Sequence, residues 1–181
     1  CMDALTTGNY NDAFGRDALG TGTGFSECCA FGNSALKFNT GDHNSAFGFN
    51  ALSANTSGAR NTAFGHRALE SNTDAVNNTA VGDYALSDCT TGVDNTAVGR
   101  EALQYLTTGV HNTAVGQESQ KVSTTGQYNS SVGHNSLKAC TTGQANNALG
   151  TNALFALTTG NYNSAIGSDS GQSITGGSNN M

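Results

Sequence analysis

Apolar and polar positions along the chain recur with a period of 17 residues. The phrase that sets the period is N-T-A-V-G, present in full at Asn95–Gly99 and Asn112–Gly116. Variants run from Asn11-Asp12-Ala13-Phe14-Gly15 to Asn163-Ser164-Ala165-Ile166-Gly167. With the phrase's first residue numbered 0, the anchors are Asn11, Cys28, Asn44, Asn61, Asn78, Asn95, Asn112, Asn129, Asn146, Asn163 and Asn180. Neighbouring anchors are 17 residues apart, except for 16 between Cys28 and Asn44. The missing residue falls where other coils carry T-T-G and this one has only Thr40-Gly41, which marks a turn, because turns tolerate deletions. Numbered from Asn11, the ten coils form one repeat domain spanning residues 1–181.

Each column has its own chemistry. Position +4 is always Gly, +3 is always Phe, Val, Leu or Ile, and +2 is Ala in all coils but one, where Ser131 stands. Position +7 is Ala or Ser, and +8 is Leu except at Gln120 and Gly171. A coil of 17 residues is too short for a helix-turn-helix repeat, and its β-branched residues and glycines disfavour helix. The pattern predicts an all-β parallel solenoid, a β-roll of about ten coils. Each coil would hold one strand over 0 to +4, a turn at +5 and +6, a second strand from +7, and the T-T-G turn. Stacked at about 4.8 Å, the coils would make a rod roughly 50 Å long.

Two columns vary together. Where +3 is Phe, +11 is Gly22, Asn39, Asn55 or Asn72; where +3 is smaller, +11 is Cys89, Leu106, Ser123, Cys140, Leu157 or Ile174. Because packed interiors conserve volume, this exchange predicts that +3 and +11 share one core layer. On that expectation Phe64→Ala destabilises strongly, while Phe64→Val with Asn72→Leu is tolerated. The small residues at +2, +4 and +7 fit either a cramped interior or a face on which neighbouring chains approach. The Asn column invites a ladder of side-chain amides between coils.

Composition narrows the function classes. The chain is 36% hydrophobic and 11% charged, with 24 glycines, no proline and a net charge of −6. This is neither a collagen-like chain nor a charge-rich disordered tail. Its seven Lys and Arg are scattered, with no basic cluster to follow a phosphate backbone, which speaks against nucleic acid. No segment approaches the ~18 apolar residues of a membrane span. The five cysteines form neither a disulfide framework nor a zinc-ligand pattern, so free structural thiols are expected. Neither cofactor nor metal is expected.

Candidate catalysts have structural explanations. His43 and His111 lie at −1, and His66 and His134 at +5, without ligand partners at a recognised spacing. Asp83 and Asp88 show no sign of a shared cleft, and the Ser and Thr residues fill repeat columns. The expectation is a protein that is not an enzyme. The T-T-G threonines would form single files rather than a flat T-x-T array, against an ice-binding face. Sequons at Asn55, Asn77 and Asn129 arise readily in an Asn-rich repeat.

The N-T-A-V-G-x-x-A-L and T-T-G phrases resemble the head repeats of trimeric autotransporter adhesins of the YadA-like class, which carry related S-V-A-I-G phrases. They are closer still to stalk repeats of tail-fibre-like proteins that end in an endosialidase-type self-cleaving chaperone. The resemblance implies a left-handed roll, three chains about one axis, and display outside a cell or on a virion. The expected function is therefore the structural shaft of an extracellular or virion fibre, self-associated as a homotrimer or an end-to-end filament. The alternative is an adhesin that binds a host glycan or surface protein through its solvent-facing turn columns at −1, +5 and +6. There Tyr128, His134, His111 and Tyr162 would supply the contacts. The chain begins at +7 with Cys1 and stops at +1 with Met181, as a segment cut from a longer fibre would. A mature lipoprotein also begins with Cys, but Cys1-Met2 falls in register with Ala153-Leu154 of the repeat.

Overall fold

The computed structural model describes residues 7–180, so the Cys1-Met2 register and the terminal Met181 lie outside the described residues. Within them the chain is a parallel β-solenoid with one short strand per coil. The strands are β1 (Asp12–Phe14), β2 (Cys29–Phe31), β3 (Ser45–Phe47), β4 (Thr62–Phe64), β5 (Thr79–Val81), β6 (Thr96–Val98), β7 (Thr113–Val115), β8 (Ser130–Val132), β9 (Asn147–Leu149) and β10 (Ser164–Ile166). They form one sheet in chain order, every pair parallel. Like residues lie beside like: Thr79 pairs with Thr96, Ala80 with Ala97, Val81 with Val98.

The expected second strand is absent. Positions +7 to +11 are a turn, and its cause is local: Leu103 at +8 takes φ 51°, and the N–H of Leu106 donates to the Leu103 carbonyl at 3.1 Å. The left-handed conformation recurs at −1, +6 and +8 on non-glycine residues such as His111, Glu101 and Leu103. Such residues cost about 1 kcal/mol or more each. The cost is offset because backbone groups find partners in the next coil. Between coils six and seven alone, Thr96 N donates to Asn112 O at 2.8 Å and Gly116 N to Val98 O at 2.7 Å. Glu118 N donates to Arg100 O at 2.9 Å, Leu103 N to Ser119 O at 3.0 Å, and Thr107 N to Thr124 O at 2.9 Å. The turn also brings +8 and +11 to the same side, so Leu103 and Leu106 are both fully buried.

Strand direction decides the interior. Within β2 to β10 the middle residue is buried and its two neighbours are not, as at Thr62, Ala63 and Phe64. The core is thus built from +2 and +7 Ala, +8 Leu, and +11. This overturns the shared layer of +3 and +11. Side chains alternate along a strand, so burying Ala at +2 turns +3 outward, and Phe64 is 57% exposed. The exchange between Phe at +3 and small or polar residues at +11 has no packing basis. A real exchange of volume occurs elsewhere: coil one has Gly22 at +11, and the interior is filled instead by Phe25, fully buried at +14.

The Asn ladder is present. Each buried Asn at 0 donates through Nδ2 to the carbonyl at +14 of its own coil, as Asn95 does to Gly109 O at 2.9 Å. Its Oδ1 receives the backbone N–H of the next coil's Asn, as Asn95 does from Asn112 at 3.0 Å. One side chain thereby closes its own coil and ties it to the next. From Thr40 to Thr158, Thr at +12 forms a second file, its hydroxyl donating to the next coil's Thr carbonyl, as from Thr56 to Thr73 at 2.9 Å. At +4, Gly99 has φ +136°, and a Cβ there would stand 2.5 Å from the Gly116 carbonyl oxygen. Glycine is required by both conformation and space.

Candidate interaction surface

The outward columns +1 and +3 make a continuous face along the rod. Its +3 file begins with four stacked phenylalanines, Phe14, Phe31, Phe47 and Phe64, with ring centroids 5.9, 5.2 and 5.5 Å apart. Val81, Val98, Val115, Val132, Leu149 and Ile166 continue it. Exposure is 42% at Phe31, 42% at Val132 and 49% at Leu149, and higher at the end residues Phe14 and Ile166. The +1 file holds Cys29 and small polar residues, with Asp12 the only charge in either file. A shallow open depression lies at one end of this face, lined by Val132, Leu149 and Ile166 with Ser130, Asn147 and Ser164. The small residues at +2 and +7 lie in the interior, so close approach between chains cannot rest on them.

Two turn columns flank the face. Along the −1 edge, His111 stacks on Tyr128 with ring centroids 5.1 Å apart and 19° between planes. His111 also lies 3.8 Å from the Asp94 carboxylate, which accepts from Asn77 Nδ2 at 3.0 Å. Of the four residues expected to contact a partner, the fold brings together only this pair. Tyr162 is exposed on the same edge with the small Ala145 column position between it and Tyr128. His134 follows the other end of β8, across the sheet from Tyr128.

The +5 and +6 edge carries most of the ion pairs. His66 Nδ1 lies 2.8 Å from Asp83 Oδ1. Beyond it, Arg100 binds Glu101 at 2.6 Å and Glu118 at 3.4 Å, Lys121 binds Glu101 at 2.6 Å, and Lys138 binds Glu118. The hydrogen bond from Lys138 holds the Glu118 carboxyl below its ordinary range, and the bond to Glu101 pushes Lys121 up. The described cysteines are unpaired. Burial pushes the Cys89 thiol up to about 12 and that of Cys140 to about 11. Such thiols are poor nucleophiles. Among the described residues no group of three His, Cys, Asp or Glu side chains could hold a metal ion.

The sheet face was not anticipated as a surface. The sign of it in the sequence is that +3 accepts Phe, Val, Leu or Ile, whereas +2 accepts almost nothing but Ala. Comparison with protein-family models, curated proteins and solved structures found no match.

Proposed function

We propose that the chain is a non-catalytic shaft segment of an extracellular or virion fibre, and that copies of it pack together through the +1/+3 face. The observation that carries this reading is the unbroken apolar file from Phe14 to Ile166 on a sheet face whose only charge is Asp12. Exposed apolar patches of this extent mark association sites. Nine steps of about 4.8 Å and a width of about four residues at ~3.3 Å give roughly 550 Å² per copy. A pair would bury about 1,100 Å², just above the ~1,000 Å² expected of a specific interface. Three copies about an axis, as the resemblance implies, satisfy the same face. Because +3 lies outside the core, charges placed there test association without unfolding the coil. Val98→Lys with Val132→Lys is expected to convert a multi-chain species to single rods in analytical ultracentrifugation, with an unchanged circular dichroism spectrum. Wild-type protein that sediments as a single rod at every concentration overturns the reading.

The exposed His111–Tyr128 stack favours a second reading, an adhesin that grips a glycan or protein from the −1 edge. Under it, His111→Ala and Tyr128→Ala abolish capture on a glycan or host-protein array while sedimentation is unchanged. The shaft reading expects the reverse insensitivity.

A further inference from the structure

The buried apolar residues do not run the length of the rod. They form two clusters, one from Ala18 to Ala114 and one from Leu137 to Ala165. Between them, coils seven and eight place Ser119, Ser131 and Ser136 in columns that elsewhere hold mainly Ala, Gln120 in the Leu column and Ser123 at the mixed +11 position, and all five are buried. Part of this layer is satisfied. Gln120 Nε2 donates to Thr113 O at 2.9 Å and Ser131 Oγ at 2.8 Å. Ser119 Oγ shares hydrogen bonds with the hydroxyls of Ser131 and Ser136. Gln120 Oε1 and Ser123 Oγ are buried without a partner. A partly satisfied polar layer contributes less than an apolar one and leaves the desolvation of its unpaired atoms uncompensated.

What still crosses this layer is the backbone ladder, the Asn file and the ion pairs on the outside. Thr113 N donates to Asn129 O at 2.8 Å, and Asn129 N to Asn112 Oδ1 at 3.0 Å. Arg100, Glu101, Glu118, Lys121 and Lys138 belong to coils six, seven and eight, so their ion pairs span the same place. In a solenoid each coil contacts only its neighbours, so stability is a sum of local terms and a weak interface divides the cooperative unit.

We propose that coils seven and eight form a polar seam at which the rod opens into two cooperative blocks, residues 12–115 and 130–180, clasped from outside by the Arg100–Lys138 charge network. The inference concerns one chain and does not depend on the shaft or adhesin reading. Hydrogen exchange of the native 181-residue chain, read by mass spectrometry, tests it. Coils three and eight each stand third from an end of the ten, so fraying alone gives them equal protection. The seam predicts that amides of coil eight bonded back to coil seven (Gly133, Asn135, Ala145) exchange about tenfold faster than their equivalents in coil three (Gly48, Asn50, Arg60). Filling the layer by S119A/Q120L/S123L/S131A/S136A removes the difference. Should that variant not fold, E118Q loosens the clasp without touching the core, and it must speed exchange in coils eight to ten while leaving coils one to five unchanged. Equal protection of coils three and eight, or an E118Q effect spread evenly along the rod, overturns the seam.

Discussion

The two sides of each strand are made from adjacent residues yet obey different rules. On the inner side of β6, Ala97 is fully buried with Asn95 beside it; on the outer side Thr96 and Val98 remain half-exposed. The inner columns at 0, +2, +7 and +8 keep one residue type through most coils, since each side chain must fit a fixed space or complete hydrogen bonds that no water can replace, and only the inner +11 column varies. The outer columns keep only a character: small and mostly polar at +1, apolar and of any size at +3. Strictness of identity, more than apolarity, marks these four columns of the interior.

The severest way to break the inner order is at the glycine that ends the strand. Gly99→Ala puts a Cβ 2.5 Å from the Gly116 carbonyl at a φ of +136°. The coil must shift, at a cost of ~3 kcal/mol or more. For a chain of this size the thermal midpoint should fall on the order of 10 °C. A drop under a few degrees would show that neighbouring coils yield easily.

The next comparison sets two apolar residues of the same coil against each other. Leu103 is fully buried at +8 and Val98 half-exposed at +3. Leu103→Ala should cost about 3 kcal/mol, as cavity-forming core changes do, and Val98→Ala under ~1 kcal/mol in a single rod. Urea unfolding separates the two. If packing between copies covers the face, the Val98 change grows with protein concentration and the Leu103 change does not.

A third pair isolates the polar part of the interior. Asn95→Ala strands the Gly109 carbonyl and the Asn112 N–H, which Asn95 satisfies at 2.9 and 3.0 Å. Each stranded buried group costs ~1–3 kcal/mol, so for the two together a loss of at least about 2 kcal/mol is expected. Thr96→Ala on the outer side should stay within ~0.5 kcal/mol. Equal effects would mean that the amide file is incidental to a fold carried by backbone bonds.

The repeat, the solenoid and the Asn file were legible because a fixed period and a fixed residue type leave few physical solutions. The orientation of +3 was misread. Phe and Val look like core residues, and the chance exchange between +3 and +11 reinforced that assignment. Parity contained the correction: an amide file at 0 faces inward, so +2 faces inward and +3 cannot. The second strand was misplaced because +8 Leu carries a left-handed backbone, a conformation that leucine seldom adopts and composition does not announce. The polar seam was visible as Gln120 in a column of leucines. Its meaning required knowing that +8 is buried.

The mildest contrast needs no change to the fold, because Cys28 and Cys29 are adjacent and face opposite ways. Cys28 occupies an inward column and is 2% exposed, whereas Cys29 stands at +1 on the outer face, half-buried, near Asp12. Burial raises both thiols, so reaction with a maleimide or disulfide reagent requires the thiolate and should quicken as pH rises. In a Cys1→Ser background, Cys29 should react in the folded protein. Cys28, Cys89 and Cys140 should wait for unfolding. Stability should be untouched by the modification at low protein concentration. Under conditions where copies associate, the +1/+3 face is covered and Cys29 should slow toward the rate of its buried neighbour. A Cys29 rate independent of protein concentration would mean that the outer face stays open, and the difference between the two sides of the strand would then be one of packing within a single rod alone.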